Sequence, residues 1–187
     1  MAVDTFKITI HMVSSLDGYI AKKDNSTSWF ETTDNYGQGL EVTEEQAASF
    51  LKTIDCYVMG SRTYEHALEL SKSYGWVYGD VPTFVLTHRN REIERENIKI
   101  YSGDLHQFVN EQLRPNYKNV WVVGGAELAT SFLSLQLADE IRQSVLPIIL
   151  GDGMPFFQRI AQEQALKLKN VTAYKNGMVE LYYQIKK

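Results

Sequence analysis

Phe6, Ile8, Ile10 and Met12 alternate with Lys7, Thr9 and His11, and this period of two predicts a strand with one apolar face. A turn at Asp17-Gly18 follows, and Tyr19-Ile20-Ala21 continues extended. Residues 22–39 are rich in Ser, Thr, Asn, Asp and Gly and predict a long loop of the kind that covers active sites. Trp29 and Phe30 stand inside it, two large aromatics that need a surface to pack on. From Thr43 to Asp55 the period lengthens: Ala47, Phe50, Leu51 and Ile54 follow helical spacing, and Thr43 with Gln46 makes a capping box. The apolar run Cys56-Tyr57-Val58-Met59 predicts a strand, followed by a helix from about Arg62 to Leu70 and a loop over 71–82. Strands are predicted over 83–87 and 98–101. Asp104 caps a helix reaching Leu113, with Leu105, Phe108, Val109, Gln112 and Leu113 on its inner side. Val120-Trp121-Val122-Val123 has no polar alternation, which predicts a central strand buried on both faces; a helix from Ala126 to about Leu135 comes next. Glu140 to Leu146 reads as a strand ended by Pro147. Leu166 to Tyr174 and Met178 to Ile185 are extended runs joined by Asn176-Gly177, a hairpin signal. Strands that alternate with helices and then give way to a hairpin predict an α/β fold on a mixed sheet.

Length changes this picture little: 187 residues suit one domain, 1–187, with one sizeable core. A net charge of -4 gives no electrostatic case for nucleic acid or for an anionic membrane as partner. Cys56 is the sole cysteine, so neither an internal disulfide nor a thiolate zinc site is expected. His11, His66, His88 and His106 lack ligand-like spacing, and no metal site is expected. The N-terminus lacks a signal-peptide pattern, and the run Val145 to Leu150 is far shorter than a membrane span. A soluble, cytoplasmic protein is the expectation.

Candidate chemistry sits where strands stop. Gly60-Ser61-Arg62-Thr63 and Gly124-Gly125-Ala126 each end an apolar strand and open a helix. Bare backbone N–H groups and a helix N-terminus are what a phosphate needs, and Arg62 adds a fork of donors. Each motif alone also fits a tight structural turn; two together suggest a ligand with a pyrophosphate. Neither matches G-x-G-x-x-G, so an ordinary Rossmann domain is not expected. Leu86-Thr87-His88-Arg89 ends a third strand with a hydroxyl, an imidazole and a guanidinium, a set suited to a phosphate monoester or simply to water. Glu44 and Glu45 open a helix, where carboxylates are favoured by the dipole whatever else they do.

The chain resembles the dihydrofolate reductase superfamily, most of all the branch containing the reductase domain of bacterial riboflavin biosynthesis. The resemblance runs through Ser14 to Ala21, Val58 to Tyr64, Val85 to His88, Trp121 to Gly125 and Leu146 to Phe157, in family order. It implies a central, mainly parallel sheet that binds NADPH across its C-terminal edge, with a cis peptide between Gly124 and Gly125. Gly60, Ser61, Arg62 and Thr63 would hold phosphates. Leu86, Thr87, His88 and Arg89 would lie by the adenosine end, with Thr87 and His88 at the 2′-phosphate. Val123, Gly124, Gly125, Ala126, Glu127 and Leu128 would line the pyrophosphate and nicotinamide ribose. Ala21 would touch the cofactor, and Trp29 and Met12 the substrate. Two departures stand out. The acid that commonly precedes the double glycine in riboflavin reductases is here Val123, and Glu44 falls only at about the place of the dihydrofolate reductase acid. Glu44 and Asp17 are the catalytic candidates. A reductase of a small heterocyclic or carbonyl substrate is the leading expectation. A pyrimidine reductase of the riboflavin pathway, a true dihydrofolate reductase and a non-catalytic NADPH-binding protein are the alternatives. The resemblance also implies a homodimer, built on Val145 to Leu150 with Met154, Phe156 and Phe157. Arg62, beside Thr87 to Arg89, is expected to read the 2′-phosphate.

Overall fold

The computed structural model describes residues 6–41, 43–89, 93 and 95–187. The alternating N-terminal segment forms β1 (Lys7–Ser14). It shares one eight-stranded sheet with β3 (Cys56–Gly60), β4 (Thr83–Leu86), β5 (Ile98–Tyr101), β6 (Asn119–Gly124), β7 (Glu140–Val145), β9 (Leu166–Ala173) and β10 (Val179–Ile185). The order is β5-β4-β3-β6-β1-β7-β10-β9. The first six run parallel, and β10 joins antiparallel to both β7 and β9, which gives the mixed sheet that the hairpin signal predicts. A separate two-stranded ladder joins β2 (Tyr19–Ala21) to β8 (Met154–Pro155).

The two sheet faces differ in chemistry. One carries Ile8, Ile10, Met12, Val120 and Val122, all buried under α4 (Ala126–Ser134) and under α3 (Leu105–Gln107), which continues as a π-helix over Phe108–Leu113. Asp104 caps α3 as expected, and Phe108, Val109 and Leu113 point inward, while Gln112 is exposed. The other face is aromatic and polar. It carries Tyr57, Met59 and Val85 beneath α2 (Ser61–Tyr74).

Several expectations need correction. β6 is central, but it is not buried on both faces: Val120 and Val122 are buried, whereas Trp121 and Val123 are half-buried. Hydrophobicity alone could not show this, because a large apolar side chain suits a half-open wall as well as a closed core. The helix expected over 43–55 is shorter, α1 (Glu44–Leu51), and none of its residues is buried. Its capping box is present as predicted, yet of its apolar stripe Ala47 and Leu51 are exposed and Phe50 is half-buried. α2 runs on to Tyr74, into what reads as loop, because its stop is Gly75 at φ 76. The apolar tail segment is also quieter than expected: Leu146 and Phe156 are buried within the chain, and Ile149 is the side chain left 69% exposed. Leu166, Leu168 and Val171 of the edge strand β9 are exposed as well. Among the described residues no helix is long and apolar enough to cross a membrane, and no cluster of side chains is suited to a metal.

Candidate active site

The C-terminal ends of three neighbouring strands come level. Gly60 of β3 pairs with Leu86 of β4, and Met59 pairs with Gly124 of β6. α2 and α4 therefore start side by side, with Gly60 and Gly125 as N-caps and no side chain capping either helix. Their first-turn N–H groups keep their partial positive charge for an anion. The Gly124-Gly125 peptide is cis. Gly124 has φ 129, and a Cβ there would stand 2.8 Å from Met12 Sδ, so this position requires glycine. At Gly60 a Cβ would find nothing nearer than 3.8 Å, so packing within the protein does not require glycine there. Thr63 stands beside the pair, its Oγ1 3.6 Å from a Cβ at Gly125. Ser61 opens α2, Ala126 is buried, and Leu86 and Leu128 pack on the core below.

Arg62 lies 3.5 Å from Glu127 Oε2, on the β6 side of β3. Thr87, His88 and Arg89 follow β4, on the other side. Thr87 Oγ1 accepts from Arg89 N at 3.1 Å, a local turn that holds the segment at the sheet edge.

The long loop crosses this edge. Near its start Thr27 Oγ1 meets His66 Nε2 of α2 at 3.0 Å. Asp24, Asn25, Ser26, Arg62, Glu65 and His66 line an open cleft of about 390 Å³ there. At its far end Leu40 N donates to Ala173 O and Lys175 N to Leu40 O, which clasps the loop to the β9–β10 tip. Between these ties Trp29 is 5% exposed, with Phe30 set edge-on to it and its buried Nε1 unpaired. Ala21, at the root of the loop, pairs with Met154.

Asp17 is fully engaged. Its carboxylate accepts from Ser15 Oγ at 2.6 Å, Leu150 N at 3.1 Å and Gly151 N at 2.7 Å, tying the turn to the 148–153 segment. The Ser15 bond, more than the two backbone bonds, holds its pKa below the usual carboxylate value. Because the folded value is the lower one, its stabilisation is present above about pH 4 and lost as the pH falls through the folded value. Asp17→Asn is expected to flatten that acid limb, read as urea midpoints across the carboxylate range. Glu44 is exposed in the first turn of α1. Leu40, four residues earlier, bridges to Tyr174, and β10 pairs Val179 with Val145, itself level with Ser14. The start of α1 therefore lies at the same C-terminal edge.

The sequence did not single out the wall beneath α1. His11 stacks on Trp121 at 4.5 Å with Phe50 edge-on at 6.1 Å. Its Nε2 is 3.3 Å from Ser144 Oγ and 3.7 Å from Glu180. Arg142 pairs with Glu180 at 3.3 Å and lies over the rings of Phe50 and Tyr182. Burial, with Arg142 adding to it, lowers the His11 pKa to about 3, so the imidazole is neutral. Met12, one residue on, points to the opposite face against Gly124.

The profile of the RibD C-terminal domain family matches residues 57–180. An uncharacterized protein of Bacillus subtilis, YwjB, is 29% identical over 177 residues, 95% of this chain and 97% of its own. A putative riboflavin biosynthesis protein from Shewanella sp. PV-4 superposes with a TM-score of 0.81 at 22% identity, covering 97% of this chain and all of the other. Dihydrofolate reductase from Enterococcus faecalis, solved with NADP(H), superposes with a TM-score of 0.61 at 15% identity, covering 97% of each chain. The superpositions establish a dihydrofolate reductase-like fold.

Proposed function

This chain belongs to the RibD C-terminal domain family, and from that membership and the geometry of its sheet edge we propose that it is an NADPH-dependent reductase of a small heterocyclic or carbonyl substrate. The observation that carries the reading is the pair of uncapped helix starts flanking a side-chain-free Gly124-Gly125 surface. Two adjacent anion-seeking helix termini suit a pyrophosphate. When bound, NADPH supplies the hydride; the chain binds, orients and shields. The N–H groups of Ser61 to Thr63 and Ala126 to Leu128 would hold the phosphates. Thr87 and His88, with Arg89, would meet the 2′-phosphate. The 22–39 loop, with Trp29 buried in it, would exclude water over the nicotinamide. The reaction needs a proton, and Glu44 is our candidate to deliver it. Asp17, held ionised by three donors, serves instead as a positioning residue.

Calorimetric titration of both cofactors tests this. NADPH is expected to bind roughly ten- to a hundredfold more tightly than NADH, since charge-assisted bonds to the extra phosphate are worth about 1.5–3 kcal/mol each. Thr87→Ala/His88→Ala should erase that preference, and Arg62→Ala should erode it while leaving NADH binding nearly unchanged. Equal wild-type affinities, or a preference untouched by the double variant, would refute the assignment.

We also propose a homodimer, now seated on β9. Leu168 and Val171 are 53% and 51% exposed on an edge strand, apolar side chains that a second copy would cover. Light scattering at micromolar concentration should give twice 21.4 kDa, and Leu168→Lys/Val171→Lys should halve it. A wild-type monomer mass would sink the idea.

A further inference from the structure

Opposite charges bridge the mouth between α2 and α4. The floor of that mouth is narrow: a Cβ on Gly60 would stand 3.8 Å from both Gly124 O and Gly125 N. Arg62 and Glu127 are each the second residue after an N-cap glycine, one on either side of this floor. Arg62 Nη2 and Glu127 Oε2 span the gap at 3.5 Å. Glu127 is the one acid in the first turn of either helix. A carboxylate there suits the dipole of α4, which accounts for its place but not for its contact with Arg62. Arg62 also lines the open cleft that it shares with Asp24 and Glu65, so a ligand can reach its guanidinium.

Magnitudes decide what this pair does when an anion arrives. Its side chains are 63% and 73% exposed, so water and salt screen it and it contributes little. A guanidinium on a phosphate makes parallel charge-assisted bonds, stronger than one 3.5 Å contact to a single carboxylate oxygen. A phosphate that reaches Arg62 therefore takes it from Glu127. The affinity is reduced by the lost pair and by the approach of a second anion to the carboxylate. A carboxylate that steadied Arg62 for a ligand would grip it with two short bonds, and Glu127 does not.

We propose that Glu127 is an affinity-setting residue, whose carboxylate competes with the 2′-phosphate of NADPH for the Arg62 guanidinium, lowering the preference for NADPH and hastening its release. This rests on the reductase reading for the identity of the ligand, and on the Arg62–Glu127 contact for the competition itself. Departure of a product limits turnover in many enzymes, and a bond made by breaking another is the easier to give up. The chain thus carries its own anion beside the cation that reads the ligand.

Glu127→Gln keeps the shape of the side chain and removes its charge. In calorimetry it should tighten NADPH roughly three- to fivefold, the most that an exposed pair contributes, and NADH by less than about twofold. Release of NADPH in stopped flow should slow by the same factor. In an Arg62→Ala background the gain should vanish. A gain equal for both cofactors, or one that survives Arg62→Ala, would mean plain repulsion of anions and would overturn the competition. NADPH bound no more tightly by Glu127→Gln would overturn it too, leaving Glu127 as a charge that serves the helix or steadies Arg62. Arginine 15N-labelled protein gives a readout that needs no cofactor. Inorganic phosphate at constant ionic strength should move the Arg62 Nε resonance, and at a several-fold lower concentration in Glu127→Gln than in wild type. Identical titrations, or a silent Arg62, would show the proposal to be wrong. If NADPH binds none of these proteins the reductase reading fails, and the phosphate titration still decides the role of Glu127.

Discussion

Gly124→Ala is expected to destabilise the protein by roughly 2–6 kcal/mol and to abolish NADPH binding. Two effects add. At φ 129 an L side chain is strained, a cost of order 1–3 kcal/mol. The new methyl would also stand 2.8 Å from Met12 Sδ, and Met12 is only 6% exposed, so the sulfur must find room inside a filled core at about 1–3 kcal/mol. Gly125→Ala is the control. Its φ is -83 and a Cβ there meets nothing closer than Thr63 Oγ1 at 3.6 Å, so the fold should barely notice. The methyl would nonetheless occupy the surface offered to the pyrophosphate. Both variants should lose cofactor affinity in calorimetry, and thermal denaturation should show a large loss for Gly124→Ala alone. Equal stability losses would show that the left-handed backbone at Gly124 and its contact with Met12 carry no weight.

Stability should also fall steeply as the pH drops from about 6.5 toward 3, with His11 as a principal cause. In the unfolded chain a histidine takes up its proton near pH 6.5, whereas burial and then Arg142 hold the folded value at about 3. The folded value is the lower one, so between these limits the unfolded chain binds one proton more and stability rises with pH. The full penalty would be up to roughly 4–5 kcal/mol, reached near pH 3. His11→Phe cannot take up that proton. Urea unfolding at a series of pH values should show a slope smaller by about one proton between pH 5 and 6.5, where few carboxylates titrate. An unchanged slope would mean that the imidazole reaches water in the folded protein.

The sheet edge and the wall beneath α1 were unequally legible. Gly124-Gly125 and Gly60 could be read because a glycine at the end of an apolar strand is a backbone statement, and backbone geometry is local. The capping box at Thr43 and the turn at Asn176-Gly177 were legible for the same reason. His11 was not. Its alternation with Ile10 and Met12 showed that it faces away from them, and what it faces is supplied by Trp121, Ser144 and Glu180, more than a hundred residues away in sequence. Arg62 was read as a neighbour of Thr87 to Arg89 because both follow strand ends. Its contact with Glu127 of α4 was not legible, because it joins two helix starts far apart in sequence.

By itself, then, the sequence determined the elements, the mixed sheet, the hairpin and the presence of two phosphate-suited helix starts, all set by period, turn chemistry and short-range backbone preference. Tertiary structure decided what depends on strand order. It brought Gly60 and Gly124 together through the β3–β6 pairing, left Trp121 and Val123 half-open, engaged Asp17 with Leu150 and Gly151, and left α1 with no buried residue. Amphipathic spacing states that a helix has an apolar side; whether a surface stands close enough to cover it is settled only when the sheet is assembled.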